Sequence, residues 1–127
     1  MIYLPKTIRW DSGELYFLDQ TKLPKKVVEE KQDSIEQVWD SIKQLKVRGA
    51  PAIGVAGAYG LLVGIREKTS LKIDDFLREV ERNVIYLDSA RPTAVNLKWG
   101  LNRMLKTAKK FSGKNSKELF KILEHEA

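Results

Sequence analysis

The spacing of apolar positions changes at Asp33, and that change divides the chain into two parts. Ahead of it, "TIRW" (7–10) and "ELYFLDQ" (14–20) are short strand-like runs on either side of "DSG", where Gly13 supplies the left-handed position of a three-residue hairpin loop. "KKVVEE" (25–30), after Pro24, is the candidate third strand. Beyond Asp33 the period is helical. Ile35, Val38, Trp39, Ile42 and Leu45 share one face, and Asp33 with Glu36, or Ser34 with Gln37, can form a capping box. Pro51 opens a second helix that runs to about Arg66. Asp74 caps a third, with Phe76, Leu77, Val80, Val84 and Leu87 as its apolar stripe. Pro92 opens a fourth, carrying Val95, Trp99, Met104 and Leu105 inward and Lys98, Arg103, Lys106 and Lys109 outward. "SGKNS" breaks it, and Asn115 or Ser116 caps a fifth helix beginning "KELFKILEHEA". The expected fold is α+β: a small antiparallel β-meander over residues 1–32, then a bundle of about five helices over 33–127, in one domain without internal repeats.

The second of these helices is unusual. Ala50 to Ile65 is apolar throughout, yet its 16 residues include Gly54, Gly57, Gly60 and Gly64 and fall short of the ~20 a membrane span needs. Small residues at that density suit a buried core helix on which neighbours pack closely. The fifth helix meets no Gly, Asn or Pro stop signal before Ala127, the pattern expected of a chain cut inside a connecting helix; a frayed natural end is the alternative.

Composition narrows the function. A chain of 127 residues suits one domain with a modest core, and 43% hydrophobic residues exclude a disordered chain. The net charge of +6 suits an anionic partner, though small basic domains bind phosphate esters, RNA or nothing. With no Cys, the chain offers no disulfide, zinc-thiolate site or thiol nucleophile. "MIYLPKTIRW" lacks the apolar core of a signal peptide, so a soluble cytoplasmic protein is expected.

Candidate chemistry lies at two helix starts. The helices beginning near residues 34, 74 and 116 have Asp, Ser or Asn available to bond their first free N–H groups. In "VRGAPAIG" and "SARPTAVNL", Pro at the first helical position leaves Ala50 and Arg91 as the caps, and both are poor ones. Free amides at a positive helix end, beside an Arg, form an anion site, and Gly49 lets a backbone amide approach a ligand closely. The plain alternative is that water satisfies these amides, that Ser89 caps the fourth helix from further out, and that Arg-Pro only makes a turn.

"KVRGAPAIGVAGAYGL" and "ARPTAVNLKWGLNRM", with "IRWDSGELYFLDQTKLP" ahead of them, closely resemble the N-terminal region of the 5-methylthioribose-1-phosphate isomerase family. Its superfamily includes ribose-1,5-bisphosphate isomerase and the regulatory subunits of a translation-initiation exchange factor. The resemblance covers nearly the whole chain in the same order. It implies that Arg48, Gly49, Ala50 and Arg91 contact the phosphate of a sugar-phosphate substrate. The activity implied is the aldose-to-ketose conversion of 5-methylthioribose 1-phosphate in methionine salvage, by a homodimer without metal or organic cofactor. The family's enzymes continue into a larger Rossmann-like C-terminal domain holding a catalytic Cys and Asp. The resemblance therefore implies half of an active site, with that domain as the missing partner and no catalytic residue in these 127 residues. The alternative is a non-catalytic regulatory or assembly domain like those of the translation-factor relatives.

Other candidates have plainer explanations. His125 is expected at the surface, and Trp10, Trp39 and Trp99 in the core rather than stacking on bases. Asp19 and Gln20 are assigned a turn. Lys106, Lys109, Lys110, Lys114, Lys117 and Lys121 suit a solvated face, which argues against a nucleic-acid partner. No membrane association is expected.

Overall fold

A computed structural model describes residues 8–22, 25–26, 28–44, 46 and 50–127, with the side chains of residues 20, 50 and 51 left out. Strands β1 (Ile8–Asp11), β2 (Glu14–Leu18) and β3 (Glu29–Gln32) precede helices α1 (Ile35–Lys43), α2 (Ala50–Ile65), α3 (Ile73–Asp88), α4 (Val95–Lys110) and α5 (Ser116–Glu126). The strands form one antiparallel sheet in the order β1-β2-β3. The fold is the α+β arrangement expected.

The β1–β2 hairpin is tighter than the sequence suggests. Asp11 pairs with Glu14, which leaves only Ser12 and Gly13 in the loop. Both have positive φ (53° and 80°), the combination that matches the twist of the flanking strands in a two-residue loop. Strand β3 covers only the end of the expected 25–30 run and continues to Gln32. Alternation along β2 turns Leu15 and Phe17 into the core, both fully buried. Opposite Leu15, buried Gln32 donates to the Glu30 carbonyl (3.2 Å) and accepts from the Ser41 hydroxyl (2.9 Å), fastening the sheet to α1.

Helix α2 lies at the centre, as its all-round apolar surface requires. Its glycines face different neighbours in turn. A Cβ on Gly54 would lie 2.9 Å from the Asn96 carbonyl oxygen of α4, and one on Gly57 would meet Leu97 of the same helix at 2.7 Å. Gly60 faces Val38 of α1, and Gly64 faces Ile35 of α1 and Asn83 of α3. A reciprocal contact comes from α4, where a Cβ on Gly100 would sit 2.5 Å from the Gly54 carbonyl oxygen. Trp10 of β1 stacks on Tyr59 of α2 (centroids 5.3 Å apart) and donates to Glu124 of α5 (2.9 Å), so one indole joins three elements.

Several helix starts differ from expectation. Ser34 caps α1, accepting from the Gln37 amide (3.2 Å), while Gln37 returns a bond to the amide of Asp33. Asn115 caps α5 by accepting from the Glu118 amide (2.8 Å). Helix α3 is not capped by Asp74: Lys72 occupies the cap without a side-chain bond, and Asp74 lies within the first turn. Helix α4 begins at Val95 and not at Pro92, with Ala94 as its cap, because residues 91–94 are held as a turn by the Ala94 amide bonding the Arg91 carbonyl (2.9 Å). The face of α4 is also rotated. Met104 is buried and Leu105 half-buried as expected, whereas Val95 and Trp99 are 77% and 62% exposed. Leu97, Gly100, Leu101 and Ala108 take the inner face instead, since the α4 backbone reaches α2 through Gly100. Leu45, expected on the α1 stripe, lies outside the described residues. Among the described residues no helix is long and apolar enough to cross a membrane.

The α2–α4 contact gives an ordered set of stabilities. Alanine gains up to ~1 kcal/mol over glycine in a helix interior, while overpacking a tight core costs ~1–3 kcal/mol. At Gly100 the obstacle is backbone that cannot rotate away, so Gly100→Ala should lose about 1–2 kcal/mol net in thermal melts. At Gly57 it is one Leu97 methyl, which can turn, so Gly57→Ala should change little. Equal stability of the two variants would contradict the backbone contact.

Candidate functional site

A distinction among the helix starts appears in their charges rather than in their caps. Helices α1, α3 and α5 carry acids in their first turns, at Glu36, at Asp74 and Asp75, and at Glu118. Those carboxylates meet the positive end of the helix dipole internally. Helices α2 and α4 have no acid in the first turn. Ala94 gives α4 no side-chain cap either. The capping contrast expected from sequence is thus incomplete, because α3 also lacks a side-chain cap, but the charge contrast separates the same two helices.

Packing brings these two helices together. Gly54 and Gly57, in the first half of α2, lie against Asn96, Leu97, Gly100 and Leu101, in the first half of α4. Ala50 is the first residue of α2. Arg91 lies in the turn before α4, half-buried, its amide bonded to the Asp88 carbonyl (3.3 Å) and its carbonyl to the Ala94 amide (2.9 Å). Among the described residues its guanidinium faces no carboxylate within ion-pair distance. Arg48 and Gly49 lie outside the described residues, as does the side chain of Ala50. Ahead of them, Lys46 is anchored by its amide on the Ser41 carbonyl (3.0 Å) and by its ammonium on Glu30 (3.0 Å).

The remaining candidates sort into structure and surface. His125 is exposed in the last turn of α5, and the six lysines are exposed. Trp10 and Trp39 are half-buried packing residues. Trp99 is not in the core: it stands beside a groove of about 460 Å³ along α2 and α4, with the Arg103 guanidinium 5.5 Å from its ring. Sequence reasoning missed this groove; its signal is Trp99 directly adjoining Gly100, the residue that marks the packed face. Among the described residues no three His, Asp or Glu side chains cluster as metal ligands.

Asp19 does make a turn, and a buried one. Its side chain accepts from the Thr21 amide (2.9 Å) and hydroxyl (2.5 Å), while its own amide bonds the Val28 carbonyl (2.7 Å). Burial pushes the carboxyl up, but Thr21 together with Glu30 and Lys46 outweighs it and holds the group below the usual aspartate range. A depressed carboxylate stabilises the fold fully above its unfolded pKa, about 4, and the contribution fades as pH falls through the lower folded value. Asp19→Ala should therefore cost about 1–3 kcal/mol near neutrality, with the difference from the parent shrinking below about pH 4. An equal cost at pH 7 and pH 2.5 in denaturant titrations would show that the charge is not what matters.

Known proteins share both the sequence and the shape of this domain. The Initiation factor 2 subunit family matches residues 46–127. Over all 127 residues the chain is 40% identical to methylthioribose-1-phosphate isomerase of Bacillus anthracis, of which it covers 36%. It is 50% identical over 97 residues to 5-deoxyribose 1-phosphate isomerase of Bacillus thuringiensis (strain Al Hakam), covering 76% of this chain and 28% of that one. The crystal structure of 5-methylthioribose 1-phosphate isomerase from Pyrococcus horikoshii OT3 superposes with a TM-score of 0.88 at 36% identity, over 94% of this chain and 34% of that one. Translation initiation factor eIF-2B subunit delta from A. fulgidus superposes with a TM-score of 0.87 at 40% identity, over 98% of this chain and 35% of that one. The chain thus spans about a third of the length of the relatives it matches.

Proposed function

The chain belongs to the Initiation factor 2 subunit family, and from that premise we propose that it forms the phosphate-anchoring part of an aldose–ketose isomerase acting on 5-methylthioribose 1-phosphate. The observation that carries this reading is the pairing of α2 and α4, the two helices without a first-turn acid, through their N-terminal halves. Arg91 precedes one of these helices and Arg48 the other. A dianionic phosphate held there would take charge-assisted bonds from both guanidiniums and from the amides around Gly49 and Ala50.

The division of labour follows from the chemistry. A phosphate on C1 blocks spontaneous ring opening, so the reaction needs a proton donor at the ring oxygen and transfer of hydrogen between C1 and C2. The residues named here bind and orient the phosphate end, and the proton-transfer groups belong to the further length that the related isomerases possess. The complete protein acts as a cytoplasmic homodimer in this reading. The structural likeness to eIF-2B subunit delta supports a second one, a non-catalytic domain that uses the same surface to bind a ligand or a partner protein.

In the complete gene product, Arg48→Ala and Arg91→Ala should each weaken binding of 5-methylthioribose 1-phosphate by about 1.5–3 kcal/mol, roughly 10- to 150-fold. The double variant should depart from additivity, because both side chains act on one group. Titration calorimetry with the substrate measures all three; full additivity or unchanged affinity would oppose a shared phosphate. The purified 127-residue chain should show no turnover above a heat-inactivated control, and turnover would overturn the division of labour.

A further inference from the structure

The turn carrying Arg91 is tied to α1 by one side-chain pair. The Trp39 indole N–H donates to the Ser89 hydroxyl (2.9 Å), and that hydroxyl donates to the Tyr86 carbonyl (2.5 Å). Ser89 is the C-cap of α3, and its own amide bonds back to the Ile85 and Tyr86 carbonyls (3.2 Å each). The Trp39 ring also stacks on Tyr86, with centroids 6.1 Å apart. Two contacts from one α1 residue therefore converge on the last turn of α3, two positions before Arg91. On the other side of the turn, Lys98 of α4 bonds the Asp88 carboxylate (2.8 Å), and Ala90 between them is buried. Ser89 is exposed, and Trp39 is half-buried with one side against the core, so the indole N–H bond lies at the surface edge of the packing.

We propose that Trp39 and Ser89 are a positioning pair that fixes the Arg91 turn relative to α1, and so holds the Arg91 guanidinium where it meets the phosphate. This rests on the phosphate role of Arg91 put forward above. Fixing the turn matters because a guanidinium gives its full charge-assisted bond to a phosphate only within hydrogen-bond reach and in line with it. A turn free to swing would weaken that contact.

The test uses the complete gene product with 5-methylthioribose 1-phosphate. Trp39→Phe keeps an aromatic ring beside Tyr86 and removes the N–H donor together with the five-membered ring. KM should rise about 3- to 10-fold, the range one such hydrogen bond supplies, with kcat falling by less. Ser89→Ala should do the same, and Ser89→Thr, which keeps the hydroxyl, should restore KM. In an Arg91→Ala background Trp39→Phe should add nothing, because the guanidinium it positions is gone. The same ratios are expected in the dissociation constant for inorganic phosphate, which reports the pair without turnover. An equal penalty with and without Arg91 would overturn the proposal by showing a general effect on folding, and so would both single variants remaining within twofold of the parent. If Arg91→Ala itself changes neither constant, the phosphate reading fails, whereas an effect of Arg91→Ala with none from Trp39→Phe or Ser89→Ala overturns the positioning pair alone.

Discussion

The contact between the backbones of α2 and α4 is the constraint on which the remaining arrangement depends. The Asn96 carbonyl lies over Gly54 and the Gly54 carbonyl over Gly100, so each helix presents an oxygen to the other at a distance no side chain would permit. Close backbone approaches of this kind are individually weak. Their importance is geometric: they draw the first halves of two helices together, and with them two positive dipole ends. The three remaining glycines of α2 let α1, α3 and the α4 leucines close round the same helix. The apolar centre of the domain and the electrostatics at one end of it thus have a common cause.

Charge is distributed in keeping with that cause. Acids at the starts of α1, α3 and α5 meet their own helix dipoles, whereas α2 and α4 have none to do so. The net charge of +6 resides largely in exposed lysines, since arginines such as Arg9 and Arg103 are offset by Glu29 and Glu126. In the proposed reading, an overall positive field draws an anion in and the helix starts without first-turn acids give it a place to bind.

Much of this was legible in the residues. The strand alternation of β2, the apolar stripe of α3 and the glycines of α2 each announce their element, because periodicity and residue size act locally. The exposed Val95 and Trp99 were not legible, and the reason is specific. A search for large apolar residues at helical spacing passes over Gly100, although that glycine decides which face of α4 is inside. Asp74 misled in a similar way: an acid at the start of a helix can cap it or sit in its first turn against the dipole, and the sequence allows both. Arg48, Gly49, Ala50 and Arg91 stand out in the sequence because they adjoin two Pro-containing helix starts with poor capping residues. The packing of α2 on α4 is a tertiary fact that no local pattern contains.

The central claim is that one phosphate bridges both helix starts. A crystal structure of the complete gene product with 5-methylthioribose 1-phosphate bound tests it most directly. The account predicts the guanidiniums of Arg48 and Arg91 both about 2.7–2.9 Å from oxygens of the same phosphate, with the amides of Gly49 and Ala50 directed at it. A phosphate held by only one of the two arginines, or bound away from the α2 and α4 starts, would contradict it.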